Sequence, residues 1–368
     1  MILTLCTACA APLPDEPDDA VRCAACATRY CSERCERYGR RRGGHGKICD
    51  EIASGGGAEQ YHADKKYDEA VADAVEECEE DTEGQKCYIC LEDGSEEGLV
   101  RMCACRGGAG FAHVSCLARQ AKILVAEAEE RDLDDDAFEA RWVRWYTCRL
   151  CEQQYHGVMR CALGWACWKT YVARPEADDT RSLAINQLGN GLDDAKHYAD
   201  ALCVREAELS MRRRLGDSER NLLAVQGNLA GCYAKLERHH DCCRIMRDVY
   251  ATRTKLLGPS HLDTVSAAYN LAIVLRNLRQ YEEVRSLLRK NLPNARARGA
   301  LFDSMRFLYA NSFVEDEAES SADDLREAVA TLTSIEAKHR QVLGKTHPET
   351  RNAQAALKRA QCVLDARI

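Results

Sequence analysis

The hydrophobic and polar positions in the second half of the chain follow the period of an α-helix. Apolar residues recur three and four positions apart over 222–236 and again over 239–257, and Gly258-Pro259 follows the second run. Such spacing places the apolar side chains on one face of a helix. A Gly-Pro pair ends a helix. The pattern predicts pairs of amphipathic helices joined by short turns.

These helix pairs repeat along the chain with a period of 42 residues. An asparagine recurs at Asn186, Asn228 and Asn270. The dipeptide Leu229-Ala230 recurs as Leu271-Ala272, and the Leu-Gly-x2-His string at 257–261 recurs at 343–347. They resemble tetratricopeptide repeats of the longer, kinesin-light-chain type. The resemblance implies an all-α, tetratricopeptide-like solenoid over residues 181–368, with a concave surface that binds peptide segments of protein partners.

The three asparagines recur at the repeat period and should therefore emerge on one face of the solenoid. An amide both donates to and accepts from an extended peptide backbone, which makes Asn186, Asn228 and Asn270 candidate peptide-binding residues. The alternative is that they hydrogen-bond between adjacent helices and only support the packing. Burial distinguishes the two interpretations, and the sequence does not show it.

The first half of the chain is instead marked by cysteines in short pairs. Of 22 cysteines, 16 precede residue 165. The start, Met1 to Leu5, lacks the basic segment of a signal peptide. Cysteines in a chain that is not secreted indicate metal binding rather than disulfides. We therefore expect zinc sites and a cytoplasmic or nuclear location.

The first cluster offers eight ligands, which are Cys6-x2-Cys9, Cys23-x2-Cys26, Cys31-x3-Cys35 and His45-x3-Cys49. Eight ligands fill two tetrahedral zinc sites with no open position, so the sites are predicted to be structural. The order resembles the MYND zinc finger over residues 6–49. That resemblance implies one ion on Cys6, Cys9, Cys31 and Cys35 and another on Cys23, Cys26, His45 and Cys49.

The second cluster again offers eight ligands, which are Cys87-x2-Cys90, Cys103-x-Cys105, His113-x2-Cys116 and Cys148-x2-Cys151. The single residue between Cys103 and Cys105 resembles the RING-CH (RING-variant) finger, and a plant-homeodomain finger is the alternative. The RING-CH resemblance implies a cross-brace, with Cys87, Cys90, His113 and Cys116 on one ion and the other four cysteines on the second. Together the two clusters predict four zinc ions.

The RING-CH resemblance also implies a function, the recruitment of a ubiquitin-conjugating enzyme. The positions that match the family's contact surface are Ile89 and Leu117. The family's tryptophan is replaced by Gln120, and Glu152 stands where active fingers often carry a basic side chain. Two functions therefore stay open: a ubiquitin ligase whose repeats recruit substrate peptides, and a non-enzymatic scaffold.

Charge and hydropathy argue against nucleic acid and membrane as partners. The first 180 residues hold 35 acidic against 22 basic side chains, which accounts for the net charge of −8 and argues against a nucleic-acid-binding surface. The longest apolar stretch, 157–173, is interrupted by Arg160 and Lys169, so it does not predict a membrane span.

The predicted architecture is multidomain, with two small zinc-stabilised α/β modules followed by the all-α solenoid. The expected ranges are 1–52 for the MYND-type finger, 53–84 for an acidic helical linker, 85–156 for the RING-CH-type finger, 157–180 for a connecting helix, and 181–368 for the repeats.

Overall fold

The computed structural model describes residues 6–11, 13 and 19–367. Residues 1–5, on which the expectation about a signal peptide rests, lie outside the described part. The contacts between residues divide the chain into two compact units, Met1–Val225 and Gln226–Ile368.

The first unit begins with a two-stranded antiparallel hairpin and continues as helices. The hairpin consists of β1 (Val21–Arg22) and β2 (Arg29–Tyr30), with Val21 opposite Tyr30. The helices are α1 (Glu33–Arg41), α2 (His45–Ser54), α3 (Ala58–Cys78), α4 (Val114–Glu130), α5 (Asp135–Trp142), α6 (Gly157–Tyr171), α7 (Asp179–Asp194) and α8 (Tyr198–Arg214). Single turns of 3₁₀-helix follow α3 and α5, at Glu79–Asp81 and Val143–Trp145.

Helix α6 is mostly apolar, and this composition makes it the centre of the first unit. Ten of its fifteen residues are buried, and a largely apolar helix needs neighbours on several sides. Helices α3, α4 and α7 pack against it. A Cβ on Gly191 of α7 would lie only 2.6 Å from the carbonyl oxygen of Arg160 in α6, so glycine permits this close approach. The segments expected as a linker and a connecting helix are thus packed elements of one core.

The second unit contains the end of α9 (Glu219–Lys235) and the helices α10 (His239–Leu257), α11 (Leu262–Asn277), α12 (Tyr281–Ala295), α13 (Ala300–Glu315), α14 (Ala322–Leu343) and α15 (Pro348–Asp365). From α10 onwards each helix packs against the next one in the chain. Such nearest-neighbour stacking is the architecture of a helical repeat. The predicted fold class, cysteine-rich zinc modules followed by a tetratricopeptide-like helical array, is confirmed.

The recurring Leu-Gly-x2-His string has a structural reason. Gly258 and Gly344 follow α10 and α14 with φ of 84° and 89°, a conformation that favours glycine. The histidine then begins the next helix: the Nδ1 atom of His261 accepts a hydrogen bond from the backbone N–H of Asp263 at 3.2 Å, and His347 does the same with Glu349 at 3.3 Å. The string therefore encodes a helix stop and the N-cap of the following helix.

Proline in a helix interior usually kinks or ends the helix, but α12 contains Pro293 and continues to Ala295. Pro293 lies two residues before the end of the helix. The N–H group that proline lacks therefore removes only one backbone hydrogen bond, in the last turn. In the described residues no helix is both long and apolar enough to cross a membrane.

Candidate metal centres and partner surfaces

The structure brings the sixteen predicted ligands together in four groups of four. In each group the ligand atoms lie within 4.8 Å of one another, and the groups are Cys6, Cys9, Cys31 and Cys35; Cys23, Cys26, His45 and Cys49; Cys87, Cys90, His113 and Cys116; and Cys103, Cys105, Cys148 and Cys151. The grouping is the alternating one that both family resemblances implied. These four clusters are suited to zinc.

Distances between ligand atoms fit a tetrahedral ion. Ligands about 2.0–2.3 Å from a central zinc must lie about 3.3–3.8 Å from one another. The sulfur atoms of Cys9 and Cys31 are 3.6 Å apart, as are those of Cys23 and Cys49. The Nε2 atom of His45 lies 3.5 Å from the Cys26 sulfur. Each cluster thus has room for one zinc ion and uses all its positions, which is the geometry of a structural site.

A backbone carbonyl group orients His113, the histidine ligand of the second module. The Nδ1 atom of His113 faces the ligand cluster and lies 3.4 Å from the sulfur of Cys90. On the other side of the ring, the Nε2 atom of His113 lies 2.8 Å from the carbonyl oxygen of Asp93. An N–H at Nε2 donates to that oxygen, which leaves Nδ1 deprotonated and free to bind metal.

All four C-x2-C turns fold in the same way. In each turn the carbonyl oxygen of the first cysteine accepts from the N–H of the residue after the second cysteine, at 2.8–2.9 Å. That residue has a positive φ of 56–66° in every case; the four are Ala10, Ala27, Leu91 and Glu152. The left-handed residue turns the chain back so that both sulfur atoms point at one ion. Backbone N–H groups of Ile89 and Leu150 also donate to the sulfur atoms of Cys87 and Cys148, each at 3.4 Å.

Local structure positions the remaining ligands of the first module. Cys23 and Cys26 lie in the turn between β1 and β2, and Cys35 lies in the first turn of α1, where the Ser32 side chain accepts from its N–H. His45 and Cys49 are one helical turn apart on α2, so both face the same ion. Tyr30 is buried beside the cluster, with its ring edge-on to His45.

The thiols of one cluster cannot all ionise by themselves. Burial opposes ionisation of Cys87, but hydrogen bonds from the backbone of Cys90, His113 and Ile89 lower its pKa to about 7. Burial and the neighbouring Cys90 and Cys87 raise the pKa of Cys116 to about 12. Adjacent thiolates repel each other, and a divalent cation removes that repulsion. The chemistry of the cluster therefore fits bound zinc.

The predicted contacts for a conjugating enzyme differ in exposure. Ile89 is half-buried on the first knuckle of the second module. Leu117 is only 4% exposed, so its assignment to a contact surface is corrected: it belongs to the buried face of α4. Sequence reasoning missed two apolar side chains on the same module, Leu91 at 69% and Leu150 at 51% exposed. Their signal was their position in the C-x2-C turns, whose tips face outward because the sulfur atoms face inward.

Glu152 lies where a basic side chain is common in active fingers, and it is paired with a nearby cation. Its carboxylate accepts two hydrogen bonds from the guanidinium group of Arg144, at 3.2 and 3.3 Å. The arginine is mostly buried and the glutamate is exposed. Glu152 thus neutralises the cation that lies next to it.

The three asparagines do not share one environment. Asn186 is half-buried and donates to the buried carboxylate of Glu208 at 3.4 Å, so it takes part in packing within the first unit. Asn228 and Asn270, in the second unit, are exposed. Exposure is incompatible with a role as buried links between helices, so the packing interpretation holds for Asn186 alone.

Comparisons with known proteins agree with this description in two segments. The model of the RING-variant domain matches residues 87–130, and that of the tetratricopeptide repeat matches residues 221–297. The RING-variant match contains six of the eight ligands of the second module; the structure places Cys148 and Cys151 with Cys103 and Cys105. A comparison with curated proteins gave no significant match.

A comparison with solved structures found similar chains. A putative kinesin light chain from Podosopora anserina, with nearly identical tetratricopeptide-like repeats, has 19% sequence identity and a TM-score of 0.44, covering 51% of this chain and 88% of that one. BtubC (BKLC) from P. vanneervenii has 13% identity and a TM-score of 0.38, covering 69% and 91%. A RING-variant domain, four zinc-suited clusters and tetratricopeptide repeats together make this chain a zinc-binding adaptor for protein–protein interaction.

Proposed function

We propose that this adaptor is a ubiquitin ligase of the RING-CH type. The observation that carries the proposal is the second zinc module, in which two closed, alternating clusters hold a knuckle with Ile89 and Leu91 and another with Leu150 at the surface. Exposed apolar side chains on a rigid support favour docking of a partner protein. The RING-variant match over residues 87–130 supports a conjugating enzyme as that partner.

The reaction would depend on positioning and not on acid–base chemistry at the metal. Zinc with four protein ligands has no position for a water molecule and cannot activate one. The module would hold the conjugating enzyme so that a substrate lysine attacks the ubiquitin thioester, and the rate gain comes from proximity and orientation.

The ligase proposal predicts that two knuckle residues are required for activity. The double variant Ile89→Ala, Leu150→Ala should abolish ubiquitin chains in an in-vitro assay across a panel of conjugating enzymes, because neither side chain is a zinc ligand and both contribute to the docking surface. Zinc content and circular dichroism should be unchanged. Val342→Ala, which truncates a side chain that is 69% exposed on α14, serves as the control and should keep full activity.

The second candidate function is a non-enzymatic scaffold, and specific residues favour it. Gln120 replaces the family's tryptophan, and Glu152 neutralises Arg144. If the wild-type protein forms no ubiquitin chains with any conjugating enzyme, the scaffold is the correct function. Chain formation by a Gln120→Trp variant would then identify the missing contact.

We further propose that the second unit binds extended peptides through its exposed amides. Asn228 and Asn270 lie at equivalent repeat positions on α9 and α11 and are exposed. Each amide can pair with both the N–H and the C=O of a peptide backbone. The bound segment would belong to a substrate of the ligase or a partner of the scaffold.

Replacing both asparagines should separate binding from stability. In the double variant Asn228→Ala, Asn270→Ala we expect peptide affinity to fall by about 1 kcal/mol per lost hydrogen bond, with an unchanged melting temperature because both side chains are exposed. A large drop in melting temperature would reject the binding role. Asn186→Ala is the contrasting variant, since it removes a partner of the buried Glu208 and should lower stability.

The first zinc module is, in our proposal, a MYND-type finger over residues 6–49 that contributes a further protein contact. Its alternating clusters support that identification. Glu36 follows Cys35 where such fingers commonly carry a glutamine, so the peptide contact would differ from the usual one. A cytoplasmic or nuclear location follows as part of the same proposal, because ubiquitin-conjugating enzymes would have to be accessible.

A further inference from the structure

The first zinc module carries a dense group of exposed cations on α1 and at the start of α2, although the first half of the chain is acidic as a whole. Residues 33–47 contain only two carboxylates, Glu33 and Glu36. The same segment contains six cations, all of them exposed: Arg34, Arg37, Arg40, Arg41, Arg42 and Lys47. Among the described residues these cations form one ion pair, between Arg40 and Glu36 at 3.4 Å. The surface of this segment is therefore positively charged.

Three of these arginines share one face of α1. Arg34, Arg37 and Arg41 stand three and four positions apart, and residues at this spacing are neighbours on a helix surface. We call these three residues the α1 basic face. Tyr38 is 52% exposed and lies four positions after Arg34 and three before Arg41, so its ring adjoins both. The face thus offers an amphipathic aromatic side chain between two cations.

Close packing holds α1 in a fixed position. A Cβ on Gly39 would lie only 2.8 Å from the hydroxyl oxygen of the buried Tyr30. A Cβ on Gly46 of α2 would lie 2.6 Å from the carbonyl oxygen of Arg40. Tyr30 in turn packs edge-on against the ligand His45. The basic face therefore stands on a rigid support, and a rigid surface loses little conformational entropy when it binds a partner.

Helix stability does not account for all of these cations. Arg40 and Arg41 lie in the last turn of α1, where a positive charge is favourable because the helix dipole is negative at that end. Arg34 is the second residue of the helix, where the dipole is positive and disfavours a cation. The basic face therefore extends to a position that the helix alone does not favour.

We propose that the α1 basic face binds an acidic peptide segment of a partner protein, in which an apolar residue stands between two carboxylates. The proposal rests on the role proposed above for the first zinc module as a protein contact, and it names the partner's chemistry. Arginine pairs with a carboxylate through two parallel hydrogen bonds. The ring of Tyr38 would contact the apolar side chain.

The spacing on α1 fits an extended peptide. Side chains one helical turn apart have Cβ atoms about 5–6 Å from each other. Alternate residues of an extended chain point to the same side and are about 6.6 Å apart. A segment with a carboxylate, an apolar residue and a second carboxylate at alternate positions would therefore meet Arg34, Tyr38 and Arg41 in turn.

Two observations favour a peptide over a nucleic acid. Glu33 and Glu36 lie on the same helix as the arginines, and they repel a polymer that carries a negative charge at every unit. A peptide can place its carboxylates only where an arginine stands. The surrounding sequence is also acidic, with 35 acidic against 22 basic side chains in the first 180 residues.

The test is calorimetry of the zinc-loaded full chain with synthetic peptides. The probe is a serine-rich peptide with a leucine two positions from a glutamate on either side. One control peptide has glutamine for both glutamates, and the other has each glutamate moved by one position. We expect saturable binding of the probe alone, weakening as salt is raised. Equal binding of all three peptides, or saturable binding of none, would overturn the proposal.

Variants show whether the α1 basic face is the site. Arg34→Gln, Arg41→Gln should weaken binding of the probe by about tenfold, the effect of losing two exposed charge pairs. Arg34→Lys, Arg41→Lys keeps both charges and should retain most of the affinity. The matched control is Arg351→Gln, Lys358→Gln, because these exposed cations of α15 are also seven positions apart. If the glutamine variant loses zinc, Arg37→Gln alone provides the measurement. Wild-type affinity in the glutamine variant, with zinc retained, contradicts the site.

Other occupants of the face would give different results. A single-stranded RNA that binds more tightly than the probe, and no longer binds to Arg34→Gln, Arg41→Gln, would assign the face to nucleic acid and overturn the proposal. Salt-sensitive self-association in sedimentation that the same variant abolishes would assign the face to a second copy of the chain, and it would overturn the proposal as well.

Two further results separate this inference from the proposed functions on which it builds. Equal binding of all three peptides that is weakened by Tyr38→Ala would leave the first module as a protein contact and reject only the acidic preference. Ubiquitin-chain formation should be unchanged in Arg34→Gln, Arg41→Gln, because the second module is intact. Peptide binding by a wild type that forms no ubiquitin chains would support this inference and contradict only the ligase proposal.

Discussion

Removal of zinc with a strong chelator should unfold both zinc modules and leave the helical array of the second unit folded. Structural zinc contributes roughly 10–16 kcal/mol to the folding of a small zinc domain. In the first module the described hairpin is only two residues long on each side. Its small core consists largely of the ligands themselves, with Tyr30, Ile52 and Ala58. Without the metal that core cannot persist.

Elemental analysis and circular dichroism measure this effect. The freshly purified chain should carry four zinc ions, one for each cluster, and Cys49→Ser should carry three. The control is Cys362→Ser, which changes an exposed cysteine of α15 outside the clusters and should retain four. Chelation should remove part of the helical signal and preserve that of α10–α15. Two or fewer zinc ions in undegraded protein would show that one module does not bind metal.

The metal clusters are the part of the site that the sequence predicts best, and the reason is geometric. A C-x2-C turn has little freedom: one carbonyl accepts the N–H four residues later, and both sulfur atoms point to the same side. Ligand spacing therefore determines local structure. Which turns share an ion is a long-range property, and only the family resemblances implied the alternating grouping that the structure has.

Leu117 shows how a resemblance can conflict with a simpler pattern. Val114, Leu117, Ala121 and Val125 recur three and four residues apart and form the buried stripe of α4. That spacing is readable from the sequence and predicts burial. The family position predicts a contact surface instead, and the packing of this chain decides against it. The exposed Leu91 and Leu150, by contrast, follow from the knuckle geometry.

The packing of α3 and α6 could not be predicted, because it depends on contacts between distant segments. The acidic composition of 76–83 suggested a solvated linker, yet alanines at 63, 70 and 74 form a buried face on α3. Likewise the repeat period predicts that the three asparagines are equivalent, but Asn186 lies beside Glu208 while its counterparts are exposed. A period identifies equivalent backbone positions and says nothing of their neighbours.

Glu208 is the centre of a buried ionic network, and its removal should have the second largest effect. Its side chain is 0% exposed and pairs with Arg205, itself 3% exposed, at 2.9 Å, and with Arg212 at 3.2 Å. Glu208→Ala leaves the guanidinium of Arg205 buried without its counter-ion. Breaking a buried pair in this way costs about 3–5 kcal/mol. We expect a loss of that size in the free energy of unfolding of the first unit.

The matched control is an exposed ion pair with the same helical spacing. Lys66 and Glu69 are three residues apart, as are Arg205 and Glu208, and their side chains are 38% and 62% exposed. Glu69→Ala should therefore cost about 1 kcal/mol or less. All four tryptophans, Trp142, Trp145, Trp165 and Trp168, belong to the first unit, so urea unfolding followed by tryptophan fluorescence measures both variants in the same way.

A double variant shows whether the unpaired buried charge or the lost packing causes the loss of stability in Glu208→Ala. Adding Arg205→Met to Glu208→Ala removes the unpaired guanidinium, and an apolar replacement of a buried pair is often nearly neutral. Much of the lost stability should return, although Asn186 and Arg212 would still lack their former acceptor. If Glu208→Ala costs no more than Glu69→Ala, the network does not stabilise the first unit. If the double variant is less stable than Glu208→Ala alone, lost packing and not the unpaired charge is responsible.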